Sequence, residues 1–199
     1  MRKWSAPLLA FASLLSLASC KKEKNEPSSA ALNGTWKFTG LHAETKSIND
    51  IVDGANHDRV ETTSNYDSFN NDGTLTFSGN SSNSTGITYS VVDTAIAMEY
   101  YNNILIDSLA QEFDFYLDPT SSSSTFQIVG QDSLTVTGGS SFVSSSPAGT
   151  APITGAKFLI DGNTLTFYMK TYQEANSSYL GYPMHTTNIV NTYMTLTRE

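Results

Sequence analysis

Three segments of this chain repeat one pattern, and that pattern restricts what the chain can fold into. Asn71-Asp72-Gly73-Thr74-Leu75-Thr76-Phe77 is the first, Gly130-Gln131-Asp132-Ser133-Leu134-Thr135-Val136 the second, and Asp161-Gly162-Asn163-Thr164-Leu165-Thr166-Phe167 the third. Each sets turn residues ahead of alternating Thr and apolar positions. A period of two puts the leucine and the following Phe or Val on one strand face and the threonines on the other. Asp-Gly and Gly-Asn pairs supply the positive φ that tight hairpins need. Apolar runs Phe126-Gln127-Ile128-Val129 and Lys157-Phe158-Leu159-Ile160 lead into the second and third turns, so both read as hairpins.

The rest of the chain speaks the same language. Charged residues are only 15% and aromatics reach 11%, while Ser and Thr make up about a quarter. That palette suits β-structure, and it is too aromatic for a disordered tail. Leu32 to Phe38 opens the folded part, with Trp36 and Phe38 on one strand face. Ile87 to Tyr101 is β-branched and aromatic, Asn102-Asn103 offers a turn, and Ile104-Leu105-Ile106 resumes an apolar run. Leu105, Leu109 and Phe113 also sit at helical spacing; strand is the preferred reading. Phe113–Leu117 and Ile189–Arg198 read as further strands. Asp118–Ser124, Gly138–Pro152 and Gln173–Asn188 read as loops. No long amphipathic helix is expected.

The first residues carry an address. Met1-Arg2-Lys3 is a short positive start, Trp4 to Leu17 is apolar, and small residues follow. These are the marks of a secretory signal. An apolar helix of about 14 residues spans roughly 21 Å at 1.5 Å per residue, short of the hydrocarbon core of about 30 Å. Leu17-Ala18-Ser19-Cys20 resembles the lipobox of bacterial lipoproteins, and Cys20 is the single cysteine. The resemblance implies cleavage before Cys20, a diacylglyceryl group on its thiol, and an acyl chain such as palmitate on the new amine. Residues 1–19 are then a signal peptide, and 20–31 a lipidated N-terminus and flexible tether. Residues 32–199 form one β-domain. Several acyl chains would anchor it stably, at about 0.8 kcal/mol per buried CH₂. With Cys20 acylated, no thiol is left for a disulfide, a nucleophile or a metal.

Successive strands joined by local turns predict an antiparallel up-and-down sheet of about 8–10 strands. Closing it into a barrel removes the two exposed edges; a two-sheet β-sandwich is the alternative. Leu32-Asn33-Gly34-Thr35-Trp36-Lys37-Phe38 resembles the Gly-x-Trp opening of lipocalin-like proteins. Phe69 to Phe77 and Tyr193 to Arg198 resemble lipocalin-like lipoproteins of the Bacteroidetes type. In that family the opening Trp closes the barrel floor against a basic residue just after the last strand. The resemblance therefore assigns barrel closure to Gly34, Trp36 and Arg198. The lipobox resemblance implies a cell-envelope location, and Lys21, where the lipoprotein rule would place an Asp for retention, is compatible with sorting to the outer membrane; the periplasmic or exterior face stays open. A second family motif is missing, so the family's ligand classes do not carry over.

Charge narrows the partners. Removing residues 1–19 removes Arg2 and Lys3 and no acid, leaving 9 basic against 19 acidic residues, a net of −10. Such a surface disfavours nucleic acid, whose binding rests on Lys and Arg displacing counterions. His42, His57 and His185 lie far apart with no metal-like spacing, and no Gly-x-Ser-x-Gly, His-Glu-x-x-His or phosphate loop occurs. Glu99 and Asp114 could serve as a carboxylate pair, but nothing fixes their separation. Asn70-Asn71-Asp72-Gly73 hints at a calcium loop, but Ser68 stands where an acid is needed, so a hairpin turn is expected there. No cofactor, metal or catalytic residue is assigned, and the chain is not expected to be an enzyme. Two functions fit. One is a membrane-anchored barrel binding a small apolar or carbohydrate ligand, with Tyr172, Tyr179, Tyr182, Met184 and His185 on a late loop as a lid. The other is a non-catalytic structural or interaction subunit of an envelope complex.

Overall fold

The structure, a computed structural model, describes residues 29–139 and 154–199. The signal peptide, Cys20, most of the expected tether and the 140–152 part of the Gly/Ser-rich segment lie outside the described residues. Ser29–Leu32 forms one helical turn (α1). Nine strands follow: β1 (Gly34–Asp53), β2 (Asn56–Asp67), β3 (Phe69–Ser78), β4 (Ser81–Tyr101), β5 (Ile104–Val129), β6 (Ser133–Gly139), β7 (Gly155–Asp161), β8 (Thr164–Tyr179) and β9 (Tyr182–Arg198). The described residues are all-β apart from α1, and every strand pairing among them is antiparallel.

The pairings return on themselves. From β3 to β9 each strand pairs with the next, and β9 pairs with β1 from Trp36↔Arg198 to Ile51↔Met184. β1 then meets β3 at its start and β2 along its remainder. β2 and β3 are two halves of one long course broken at Ser68. Leu41 N–H donates to Ser68 Oγ at 2.7 Å, and Ser68 N–H donates to the Leu41 carbonyl at 2.8 Å. The ladder therefore carries across the break, and β4 faces β3 first and β2 afterwards.

Strand length divides the molecule into two levels. Near the chain's ends, β1, β3, β4, β5, β6, β7, β8 and β9 form a complete ring. β6 and β7 are short, so the ring stops where they stop. Beyond it only β5, β4, β2, β1, β9 and β8 continue, in that order, as a sheet that is open between β5 and β8 among the described residues. β1 alone has twenty residues, about 65 Å of extended strand at about 3.3 Å each. The distal tips are the turns at Gly54-Ala55, Asn102-Asn103 and Leu180-Gly181.

The core sits inside the ring. Trp36, Phe38, Leu75, Phe77, Phe126, Leu165, Phe167, Met194 and Leu196 are at most 2% exposed. Phe77 packs edge-on to Phe126 at 5.7 Å and tilted to Phe167 at 5.9 Å, so aromatic rings from β3, β5 and β8 meet at the axis. Leu75, Phe77, Leu165 and Phe167 are alternating positions of the repeated Thr-apolar segments, pointing inward as the period demands.

Three expectations need correction. Asn70 to Gly73 is not a hairpin turn; it lies inside β3, where the register against β4 shifts twice between Phe69 and Thr74. Gly73 sits at φ +102, and a Cβ there would lie 2.6 Å from the Gly86 backbone. Turn-like residues here serve a pair of bulges at a close strand contact. Asp118–Ser124 is not a loop but part of β5. Its serines satisfy one another across the sheet: Ser124 with Ser82 at 2.6 Å, and Ser122 with Ser84 at 2.8 Å. Gln173–Asn188 is likewise a hairpin of β8 and β9, turned at Leu180 (φ 51) and Gly181 (φ 90). Between Ile104 and Phe113 the chain is strand, in agreement with the preferred reading.

Candidate functional site

The proximal end is a plug. Leu32 from α1 is fully buried, and Trp36 Nε1–H donates to its carbonyl at 2.7 Å. The Arg198 guanidinium lies 4.3 Å from the Trp36 ring centre. Its Nη2 donates to the Ala31 carbonyl at 2.9 Å, and Nη1 reaches the Asn33 carbonyl at 3.5 Å. One cation thus covers the indole and caps carbonyls at the end of the helical turn. Gly34 has φ +124, and a Cβ there would stand 3.8 Å from Arg198 Nη1. Gly34, Trp36 and Arg198 therefore meet, and they meet at the end where the chain enters the fold. Ala31, expected as the last residue of the tether, lies in α1, and its carbonyl accepts from Arg198.

The expected lid residues do not converge. Tyr179 and Tyr182 are register partners at the β8–β9 tip, and Met184 pairs with Ser177 and Ile51. Alternation puts these three on the face continuous with the ring interior. Tyr172 and His185 fall on the opposite, outer face. There Tyr172 donates to Glu174, His185 Nδ1 bonds Asn176 Oδ1 at 2.8 Å, and His185 Nε2 stands 3.6 Å from Glu174. The Glu174 carboxylate raises the Tyr172 phenol above its ordinary range. Tyr172, Tyr179 and Tyr182 remain exposed. Hydrogen bonding along the β8–β9 hairpin leaves no hinge for a lid.

The outer face of the distal sheet also carries a charge ladder that period and spacing did not reveal. Glu61 is only 8% exposed, pairing with Lys46 Nζ at 2.8 Å and with Arg59. The Lys46 hydrogen bond holds its carboxyl below the usual glutamate range. Arg59 lies over the Tyr100 ring at 4.8 Å, and His57 bonds Asp50 at 2.9 Å. His42 bonds Asp67 at 2.9 Å and sits in a row with Tyr193 and Tyr168. Each histidine thus comes with an acidic partner on a strand, not on a loop. The signal was present as charges two residues apart, at 57, 59 and 61, but only strand register brings 46 and 50 to them. Among the described residues no group of three or more His, Cys, Asp or Glu is arranged to hold a metal.

The β4–β5 hairpin differs from its neighbours. From Ser81 to Val129 it carries Asp93, Glu99, Asp107, Glu112, Asp114 and Asp118, and no Lys, Arg or His. Glu99 and Asp107 are direct cross-strand partners. Beside them lies a shallow depression of about 160 Å³ lined by Val60, Ala97, Glu99, Asp107, Ser108 and Leu109. A larger one, about 400 Å³, is lined by Ser81, Asn83, Ser123, Ser124, Thr125 and Gly138 near the ring.

Comparison with known proteins adds no relative: no family model, no curated protein and no solved structure matches this chain.

Proposed function

We propose that this chain is a lipid-anchored lipoprotein of the cell envelope, sorted to the outer membrane, whose lipocalin-like barrel acts as a non-catalytic interaction module. In this reading the ring is a barrel rather than a two-sheet sandwich, because β9 returns to β1 along a register that runs from Trp36↔Arg198 to Ile51↔Met184 with one bulge between Phe38 and Gly40. The observation that carries the function is the contrast between a filled ring and an uncovered distal sheet. Large side chains occupy the ring axis, whereas Ile104, Leu105, Ile106, Leu109, Tyr116 and Tyr172 each stand more than half exposed on distal strands. Exposed apolar clusters rimmed by polar residues are the mark of protein contact surfaces. Polarity of the molecule fits as well. The chain enters at the plugged floor, so an anchor at Cys20 leaves the distal tips at the far pole.

Photo-crosslinking from distal positions in intact cells tests the module. A specific partner captured from Tyr172 or Leu109, and not from ring position Thr166, is the expected result. No partner from any distal position rejects the reading. The anchor has its own test: Cys20→Ser releases the protein from membranes, and the mature terminus of the parent carries acyl mass.

A second reading follows from the hydroxyl-lined depression around Ser81 and Ser123. Its size and polar lining suit a small carbohydrate better than an apolar ligand. Saturation-transfer NMR with envelope oligosaccharides tests it; signals that persist unchanged in Asn83→Ala would reject that site.

A further inference from the structure

We propose that the free edge of β5, Leu109 to Asp118, is a docking strand for an extended segment of a partner protein that alternates basic and apolar residues. The proposal rests on the interaction-module reading and names the partner's chemistry.

An extended strand paired on one side offers unpaired N–H and C=O groups on the other. β5 is in that position from Ile104 until Ser124, where β6 takes over its second side, among the described residues. The usable run is narrower. Ser108 N–H is already held by Asp107 Oδ1 at 2.7 Å, and Pro119 has no N–H to give. Leu109 to Asp118 lies between these two stops. A strand added here would continue the sheet where β6 ends.

Side-chain alternation specifies the occupant. On the face continuous with the ring interior, the edge presents Leu109, Gln111, Phe113 and Phe115. On the outer face it presents Ala110, Glu112, Asp114 and Tyr116. Leu109 and Tyr116 are 62% and 58% exposed. An incoming strand would meet an apolar flank on one side and two carboxylates on the other. Those carboxylates have no basic neighbour in the hairpin, and Glu99 opposes Asp107 directly, an arrangement that destabilises a cross-strand pair. Lysines or arginines on the outer face of the incoming strand would pair with Glu112 and Asp114; Glu99 and Asp107 lie on the inner face, at the end of the run. The depression beside Glu99 and Asp107, lined also by Val60, Ala97 and Leu109, gives room on the inner face for a side chain at the end of the incoming strand.

Charge also excludes the nearest competitor. A second copy paired through this edge would bring six more carboxylates and no base. The other open edge, distal β8, is a poorer template. Gln173, Glu174, Ala175, Asn176, Ser177 and Ser178 give an added strand little to bury.

Amide hydrogen exchange on the full mature protein tests the proposal. The probes are a synthetic peptide alternating lysine with valine, a glutamate–valine counterpart, and the lysine peptide broken by a central proline. The lysine peptide should slow exchange by about ten-fold or more at the alternate amides of 109–118 that face away from β4, and the other two should not. Glu112→Lys with Asp114→Lys should move the preference to the glutamate peptide. Leu109→Asp, at an exposed position that leaves the ring untouched, should weaken lysine-peptide binding about ten-fold. The proposal fails if these alternate amides of 109–118 are already as protected as the ring without peptide. It also fails if the proline-broken peptide protects equally, or if protection falls elsewhere. Cellular crosslinking separates the two levels: a partner captured from Tyr172 but not from 109–118 sinks the docking strand alone, and no distal partner sinks both.

Discussion

The proximal ring and the distal sheet are cut from the same strands, yet they bury their side chains to different degrees. β1 shows it within one element. Trp36 and Phe38 are fully buried at one end, while no residue beyond Ala43 is. Backbone conformation, pairing and alternation are alike at both levels. What changes is the number of strands. With β6 and β7 present the sheet closes around a core; without them it opens into a single layer along which burial fades. Hydrophobic stabilisation follows enclosure, at about 25 cal/mol per Å² of apolar surface removed from water. Pairing alone makes strands, and only closure makes a core.

Truncation should break or sharpen this contrast most strongly. Trp36→Ala or Phe167→Ala removes a side chain with no exposed surface, and a loss of about 3–5 kcal/mol is expected in chemical denaturation. Leu109→Ala or Ile104→Ala in the distal sheet should cost less than about 0.5 kcal/mol. Equal losses at the two levels would mean the distal side chains are buried in solution.

Arg198→Ala comes next. It removes the cation over Trp36 and leaves the Ala31 carbonyl without its donor, so about 1–2 kcal/mol should go. Arg198→Lys keeps the charge but not the planar fork, and should recover only part of it. Full recovery with lysine would make the floor a matter of net charge rather than of stacking.

Legibility in the sequence follows the same division. The β5–β6 and β7–β8 hairpins were readable because each carries a local signal: a Gly-containing turn followed by Ser- or Thr-Leu-Thr and then Val or Phe. The β4–β5 turn was readable through Asn102-Asn103, both at positive φ. The β8–β9 turn was not, because Leu180 occupies a left-handed position that sequence reasoning gives to Gly or Asn. Serines 122–124 read as loop because polarity usually means solvent, whereas here serine faces serine across β4 and β5. The site divides likewise. Gly34, Trp36 and Arg198 were found through a motif. The Lys46–Glu61–Arg59 cluster and the acidic β5 edge depend on register between distant strands, which single-sequence periodicity does not contain. The five residues expected as a lid divide between faces for a simple reason: positions 172 and 185 point to one face of a strand pair, and 179, 182 and 184 to the other.

The strained turn gives a smaller test with the opposite sign. A non-glycine residue in the left-handed region costs on the order of 1 kcal/mol. Leu180 is also 82% exposed, so it offers nothing in packing to offset that. Leu180→Asn should therefore stabilise the distal hairpin by about 0.5–1 kcal/mol and slow exchange at the β8–β9 tip. Ring amides should not change, since the tip opens locally. An equal gain in both regions would show that the two levels unfold as one unit.

The smallest effect concerns pH. Glu61 is held in its charged form by Lys46 and then by Arg59, and its carboxyl is lowered relative to an unfolded chain. The sign follows from linkage. Above the ordinary glutamate range the carboxylate is ionised in both states, and the ion pair contributes its full stabilisation. As pH falls through that range the unfolded chain takes up the proton first, so the contribution shrinks, and it is gone once the folded carboxyl also protonates. Glu61→Gln should flatten this acid limb of the distal exchange profile while leaving the ring's profile unchanged. Both partners of Glu61 are partly open to water, so salt should mimic the substitution. A parallel loss of ring protection in acid would mean that the charge ladder braces the core as well, and that the boundary between the two levels is softer than their burial implies.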